Sequence, residues 1–273
     1  MQDIPITPWY PLKIFLGTIG YLGYFISAVM FFLVGIPFLM ILLPWPRLMQ
    51  HLMYSVLRVY AFVLVRVWLP VLGVYSFAEQ PGGRARAVRG SVVVASHRSR
   101  LDALIMLSML PQSGVVIKAK YAGVPLFSTF VKHLDFVSID PDSLSSLAAA
   151  MERCRAVLAS GKNLLVFPEG TRATSGKLLP FGPFPFKIAV DSGAPLVPVV
   201  IHSDLPLMAR RRGSIFPPRR FRYMVRFLEA CTGEPGETAA DFARRVRSLM
   251  AAELADLDKG TCWETSRRDG DER

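Results

Sequence analysis

A histidine and a carboxylate five positions apart, directly after an apolar β-rich run, are the first residues in this chain that could do chemistry. The stretch Ser96-His97-Arg98-Ser99-Arg100-Leu101-Asp102 follows the run SVVVA at 91–95. On a continuous helix His97 and Asp102 would stand about 140° apart and could not meet. However, Ser99-x-x-Asp102 ahead of an apolar run is a helix-capping signature, which puts Asp102 in the first turn and His97 just outside it. A chain reversing at that cap folds the imidazole back toward the carboxylate. One ring nitrogen then has an orienting acceptor, and the other is left to take a proton from a hydroxyl. Taken alone, a capping box beside a surface histidine is the simpler reading, because a two-residue spacing arises easily.

A second constellation is longer and therefore more specific. Phe167-Pro168-Glu169-Gly170-Thr171-Arg172 stands at the end of a predicted strand, the edge at which α/β sheets bind their ligands. Gly170 lets the backbone turn closely, Arg172 offers a planar fork suited to a phosphate, and Glu169 can hold the loop through hydrogen bonds. A surface turn with an incidental Glu/Arg pair is the bland alternative. The clusters Arg210-Arg211-Arg212 and Arg219-Arg220-x-Arg222 read equally well as an anionic-surface patch or as a solvated loop. The phenylalanines and prolines of 179–186 fit either an acyl-chain channel or core packing, and His133 and His202 read as structural. Cys154, Cys231 and Cys262 are far apart and odd in number, so they read as reduced thiols, and no metal-ligand spacing joins them to the histidines.

The elements that must carry these residues alternate. Runs at 91–95, 114–117, 136–139, 164–167, 196–201 and 223–227 predict strands; 101–110, 143–159, 184–192 and 238–257 predict helices. Such alternation predicts an α/β fold with a mixed or mostly parallel sheet flanked by helices. Hydrophobic residues make up 52% of the chain, concentrated in its first quarter. Residues 14–43 contain no charge, and as helix they would span about 45 Å against a hydrocarbon core of about 30 Å. Gly35-Ile36-Pro37 offers a break, leaving 14–34 long enough to cross alone. The segment 48–72 is interrupted by His51, Arg58 and Arg66, which share about 100° of a helix and argue for a helix lying at the interface or against the following domain. The expected organisation is an N-terminal helical membrane anchor at 1–74, a domain at 75–258 and a mobile polar tail at 259–273. The formal charge of +11 favours a polyanionic partner. Beside a greasy anchor that partner is an anionic membrane surface rather than nucleic acid, for which no motif is present.

Over residues 92–201 the blocks together resemble the 1-acylglycerol-3-phosphate acyltransferase family of glycerolipid acyltransferases. The family's Asn-His-x4-Asp is met by Ser96, His97 and Asp102, with the leading Asn replaced. A Lys seven residues before a Pro is met by Lys118 and Pro125, and the Phe-Pro-Glu-Gly-Thr-Arg block is complete. Phe186-Lys187-Ile188-Ala189 and 194–199 look like the family's later blocks. Two positions depart: Ser128 stands where a glycine is usual, and Pro141 where an Arg commonly follows Ile-Asp.

The resemblance implies acyl transfer from a thioester, acyl-CoA or an acyl carrier protein, to the free hydroxyl of lysophosphatidic acid, with no metal or prosthetic group. It implies His97 as general base, Asp102 as its orienting partner, and Lys118, Glu169, Gly170, Thr171 and Arg172 as residues that bind or shape the site for the acceptor. The two departures leave room for another lyso-lipid acceptor. A non-catalytic membrane-surface protein is the third reading, and a binding module would have no need of the His97/Asp102 pair. The expected location is the inner, cytoplasmic membrane, with the catalytic domain on the cytoplasmic side.

Overall fold

The computed structural model describes residues 8, 10–30, 33, 35, 37, 41, 44–79, 88–173, 177–205 and 220–259. Ile36 at the expected break, the arginines at 210–212 and 219, Cys262 and the expected tail beyond 259 lie outside the described residues. Helix α1 (Tyr10–Met30) precedes α2, which runs Pro46–Phe62, loosens into a π-helical Val63–Trp68 and ends in Leu69–Val71. Pro70 explains the loosening: it has no N–H to offer the preceding turn, and its ring crowds the carbonyl four residues back. The Tyr75 hydroxyl donates to the Val65 carbonyl at 2.6 Å.

The chain continues through β1 (Tyr75–Glu79), β2 (Val92–Ala95), α3 (Asp102–Met109), β3 (Ser113–Lys118), a helical turn at Ala119–Ala122, α4 (Pro125–His133) and β4 (Val137–Ile139). It ends with α5 (Leu144–Ala159), β5 (Asn163–Val166), α6 (Phe184–Ser192), β6 (Leu196–Ser203), β7 (Phe221–Phe227) and α7 (Ala239–Leu257). Every strand and helix expected between 91 and 257 is present, its ends shifted by a residue or two, whereas α1 begins four residues before the expected 14–34. Strand β1 and helix α4 were not foreseen.

The strands form one seven-stranded sheet in the order β1-β7-β6-β2-β5-β3-β4. Neighbours are parallel except β6 and β7, so the sheet is the expected mixed, mostly parallel one. Strands covered on both faces need apolar residues at nearly every position, which is why VVVA and NLLV are buried throughout, with the Asn163 side chain hydrogen-bonded to Ser91 N, Val88 O and Pro111 O. Val93, Ala95, Leu165 and Val199 face a core shared with α2, α3 and α4; Val92, Val94, Leu164 and Val200 face a second core under α5, α6 and α7. Gly114 lets β3 approach the turn before β4, where a Cβ would stand 2.5 Å from the Asp135 carbonyl oxygen.

Helix α2 is built into the first core rather than set apart from it. Met49, Met53, Tyr54, Leu57, Ala61 and Leu64 are buried, whereas Leu48, Val56, Val59 and Val63 are exposed. The Asp135 carboxylate fixes the docking: its Oδ2 lies 2.6 Å from Lys162 Nζ, 3.0 Å from the Tyr54 hydroxyl and 3.1 Å from Gln50 Nε2. Among the described residues, Pro46–Val71 is long and apolar enough to cross a membrane, yet 39% of its apolar window is buried. Helix α1, Tyr10–Met30, is uncharged from Ile14 onward. Of the cations expected on one face, Arg66 lies over the Phe77 ring of β1 instead, while His51 and Arg58 line one cavity.

The two faces of α2 should respond differently to truncation. Met53→Ala is expected to cost about 2–5 kcal/mol as a buried deletion, and Val59→Ala no more than about 0.5 kcal/mol. Denaturant unfolding in detergent checks both, and equal losses would mean that α2 is not docked as described.

Candidate active site

The carboxyl ends of β2, β3 and β5 gather the residues singled out above. The end of β2 is tied down first. Ser96, buried, accepts from Ile201 N at 2.8 Å and donates to Ile201 O at 3.2 Å, joining β2 to β6. The residue in place of the resembling family's Asn is thus part of the sheet. The chain then reverses into α3, and His97 Nδ1 comes to 2.9 Å from Asp102 Oδ2.

Asp102 is fully buried, and its carboxylate organises the turn. Besides His97, Oδ2 accepts from Arg98 N at 2.8 Å and Ser99 N at 2.7 Å. Oδ1 accepts from the Tyr223 hydroxyl of β7. The expected capping box therefore forms by half. The carboxylate reaches back to Ser99 N, but the Ser99 hydroxyl accepts from Leu101 N at 3.1 Å instead of capping the helix. Burial, and then the neighbouring Asp102 charge, push the Tyr223 pKa well above its ordinary 10.0, so the phenol remains a donor. With Nδ1 engaged, Nε2 is the ring nitrogen left for a substrate. The Phe167 ring lies 4.3 Å from the imidazole, centroid to centroid, and limits its rotation.

The loop after β5 wraps the same histidine. Glu169 Oε1 accepts from His97 N at 3.0 Å, and its Oε2 accepts from Leu179 N at 2.9 Å. Ala173 N donates to His97 O at 2.8 Å, so Thr171 and Arg172 run alongside the imidazole-bearing turn, both half-buried. Gly170 takes a positive φ of 62°, open to glycine without strain, and a Cβ there would lie 4.0 Å from Lys118 Cε. Lys118, exposed at the end of β3, thus stands over the Gly170 turn. Arg247 of α7 holds the loop from below, donating to Leu179 O at 2.9 Å and Leu178 O at 2.6 Å. Phe186 packs against Phe242 with centroids 5.4 Å apart in the second core, which decides for packing at that end of 179–186.

Behind the site a buried ionic cluster links the same turn to the end of α7. Arg98 Nη1 and Nη2 donate to Asp258 Oδ1 and Oδ2 at 3.0 and 2.9 Å, and His202 Nε2 lies 3.0 Å from the same Oδ1. Among the described residues no three His, Cys, Asp or Glu side chains converge as metal ligands would. Sequence reasoning found His97, Asp102 and the loop residues but missed Tyr223, Arg247 and Asp258. They come from elements more than a hundred, or several tens of, positions away, and short spacings carry no trace of them.

Comparison with known proteins agrees with these blocks. Residues 82–202 match the Acyltransferase family model. A 1-acyl-sn-glycerol-3-phosphate acyltransferase of Cocos nucifera is 28% identical over 194 residues, covering 70% of this chain and 60% of that protein. A probable enzyme of the same description from Mycoplasma pneumoniae is 30% identical, covering 55% and 57%. The chain thus spans less than two thirds of these relatives. The crystal structure of a 1-acyl-sn-glycerophosphate (LPA) acyltransferase from Thermotoga maritima shares the fold, with a TM-score of 0.72 at 19% identity, over 90% of this chain and 97% of that one.

Two stability measurements test the geometry. Tyr223→Phe leaves Asp102 Oδ1 a buried acceptor without its donor and should cost about 1–3 kcal/mol. Burial, partly offset by the Leu179 and His97 backbone donors, raises the Glu169 pKa above its ordinary 4.5. The folded chain therefore holds that proton more tightly than the unfolded chain. Stability falls as pH rises through the window that opens at 4.5 and closes at the raised value. Glu169→Gln, which cannot titrate, should flatten that part of the profile, and unfolding midpoints across the window compare the two proteins.

Proposed function

We propose that this chain, whose residues 82–202 match the Acyltransferase family model, transfers a fatty acyl group from a thioester to the free hydroxyl of lysophosphatidic acid, giving phosphatidic acid. The observation that carries the reading is the His97–Asp102 contact of 2.9 Å at the carboxyl edge of the sheet, beside a loop bearing Arg172 and under Lys118.

His97 Nε2 accepts the acceptor's hydroxyl proton as the oxygen attacks the thioester carbonyl. Asp102 holds the Nδ1–H tautomer and stabilises the imidazolium that forms. Collapse of the tetrahedral intermediate breaks the C–S bond, the ester C–O bond remains, and His97 returns the proton to the departing thiolate. Lys118 and Arg172 bind the acceptor phosphate, and Glu169, Gly170 and Thr171 shape the loop that presents Arg172. The donor is acyl-CoA or an acyl carrier protein, acting as cosubstrate with no further cofactor. The exposed apolar residues of α1 and α2 seat the chain on an anionic membrane surface, with the domain on the cytoplasmic face of the inner membrane.

One observation favours a second acceptor. The pairing of Lys118 with Ile139 sets Asp140 at the same edge, followed by Pro141 and Asp142. Carboxylates at that edge suit a lyso-lipid whose headgroup adds a cation to the phosphate.

Steady-state kinetics with purified protein separate chemistry from recognition. His97→Ala should lower kcat by about 10²–10⁴-fold, the range of a general base; retention of more than about a tenth of the wild-type rate would remove that assignment. Arg172→Ala should lower kcat/KM for lysophosphatidic acid by about ten- to a hundred-fold, the worth of a charge-assisted phosphate contact. The loss should be far smaller for an acceptor lacking the phosphate. Equal losses on both acceptors would mean that Arg172 supports the loop and does not read the headgroup.

A further inference from the structure

The inward face of β7 reads Phe221, Tyr223, Val225 and Phe227, all buried. Three of the four are hydrocarbon, and Tyr223 differs from its phenylalanine neighbours by one hydroxyl. Burying that hydroxyl costs free energy unless it finds a partner, and the partner is Asp102 Oδ1. Strand β1 fixes the ring that carries it. Tyr223 pairs with Phe77 in register, stacks on its ring with centroids 6.5 Å apart and meets the Tyr75 ring at 5.4 Å. The phenol is itself hydrogen-bonded by the Ser99 side chain, a contact that favours the ionised oxygen, so Ser99 donates to it. The Ser99 oxygen accepts from Leu101 N at 3.1 Å, which leaves its own hydrogen for that bond. Ser99, Tyr223 and Asp102 are all buried, so solvent does not compete for these links. The bonds therefore run from Ser99 to Tyr223 to Asp102 to His97, out of the dry core to a side chain that is 20% exposed.

A carboxylate shares one charge between two oxygens. Asp102 Oδ2 takes Arg98 N, Ser99 N and His97 Nδ1, whereas Oδ1 takes the Tyr223 hydroxyl. A phenol on Oδ1 draws charge to that oxygen and leaves Oδ2 a weaker acceptor. A donor on the phenol oxygen strengthens the effect, because hydrogen bonds in a chain polarise one another. The same bond pins the carboxylate against rotation. We infer that Ser99 and Tyr223 are positioning residues for His97, a relay that holds Asp102 Oδ2 toward the imidazole and sets how strongly it draws on Nδ1–H. The inference deepens the proposed function and rests on it, since the relay matters to turnover through His97 as base. It also gives β1 a part in the chemistry, because Tyr75 and Phe77 clamp the ring on which the relay turns.

Two readouts on full-length protein in detergent separate tuning from support. With isotope-labelled histidine, the His97 Nδ1–H proton is identified by its loss in His97→Gln and followed by NMR. Tyr223→Phe should move that resonance downfield, and Ser99→Ala should move it the same way by less. A fluorinated tyrosine at position 223, a stronger donor of nearly the same shape, should move it upfield. In steady-state kinetics Tyr223→Phe should lower kcat for acyl transfer by about three- to ten-fold, the worth of one neutral hydrogen bond, with each KM changed by less than about two-fold. Phe227→Leu, on the same face of β7 but outside the relay, should lower stability and leave both readouts in place. Should Tyr223→Phe fail to fold, the Ser99 and fluorinated variants carry the test, since their shifts must oppose each other. Shifts of one sign in all the variants, or none, would reduce Tyr223 to a space-filling side chain and overturn the relay. A kcat loss in Phe227→Leu equal to that in Tyr223→Phe would do the same. Wild-type protein that leaves lysophosphatidic acid unacylated, while the resonance follows the expected order, overturns the acyl-transfer reading and upholds the relay.

Discussion

Everything at the carboxyl edge of this sheet depends on one buried carboxylate. Asp102 lies in the first turn of α3 with no exposure to solvent, so each of its oxygens needs donors from the protein. Its Oδ2 takes the backbone N–H groups of Arg98 and Ser99 together with His97 Nδ1, and its Oδ1 takes the Tyr223 hydroxyl. The two backbone donors bend the chain back over the start of the helix, and that bend brings a histidine outside the helix to a carboxylate inside it. Without it, the five-residue spacing would hold the two side chains apart. The same carboxylate therefore shapes the turn and orients the imidazole, two roles a single substitution would disturb together.

Holding Asp102 this way requires the antiparallel part of the sheet. Tyr223 reaches Oδ1 because β7 lies beside β6, with His202 paired to Met224 and Ser203 to Tyr223. β6 in turn lies beside β2, and Ser96 locks that pairing through Ile201. Arg98, next to His97 in sequence, turns away into the buried cluster with Asp258 and His202. The histidine turn is thus fastened on three sides, by α3, by β7 and by the end of α7. Replacing either partner of the Arg98–Asp258 pair would leave a buried charge uncompensated.

How much of this was legible follows from the range of each interaction. The strands could be read because burial on both faces writes itself as consecutive apolar residues, as in VVVA and NLLV. Helices α5 and α7 announce their starts with Ser143 and Thr238, whose side chains do accept from the N–H groups of Ser146 and Asp241. Strand β1, YSFAE, carries no such run, and its place comes from pairing with β7, which begins at Phe221. The His97–Asp102 contact was readable because it closes within one turn of chain. Tyr223, Arg247 and Asp258 were not, because they act across the sheet and no local pattern marks them. The share of Arg66 was misread for a different reason. A straight helix places it with His51 and Arg58, but the π-helical stretch ahead of Pro70 changes the phase and hands it to Phe77.

Helix α2 carries two faces with opposite demands. Its core face is committed by Met53, Leu57 and Leu64 and by the polar clasp of Tyr54, Gln50 and Lys162 on Asp135. A free membrane-spanning helix has no use for that clasp, because carboxylate and ammonium groups are costly in hydrocarbon. A helix of a soluble domain, conversely, has no use for Leu48, Val59 and Val63 on its outer side, where a contiguous apolar surface invites association. The two demands divide the helix, with the core on one side and an uncovered apolar surface on the other. Because α2 packs along α3, whose first turn holds Asp102, the docking of α2 also bears on the turn that carries His97.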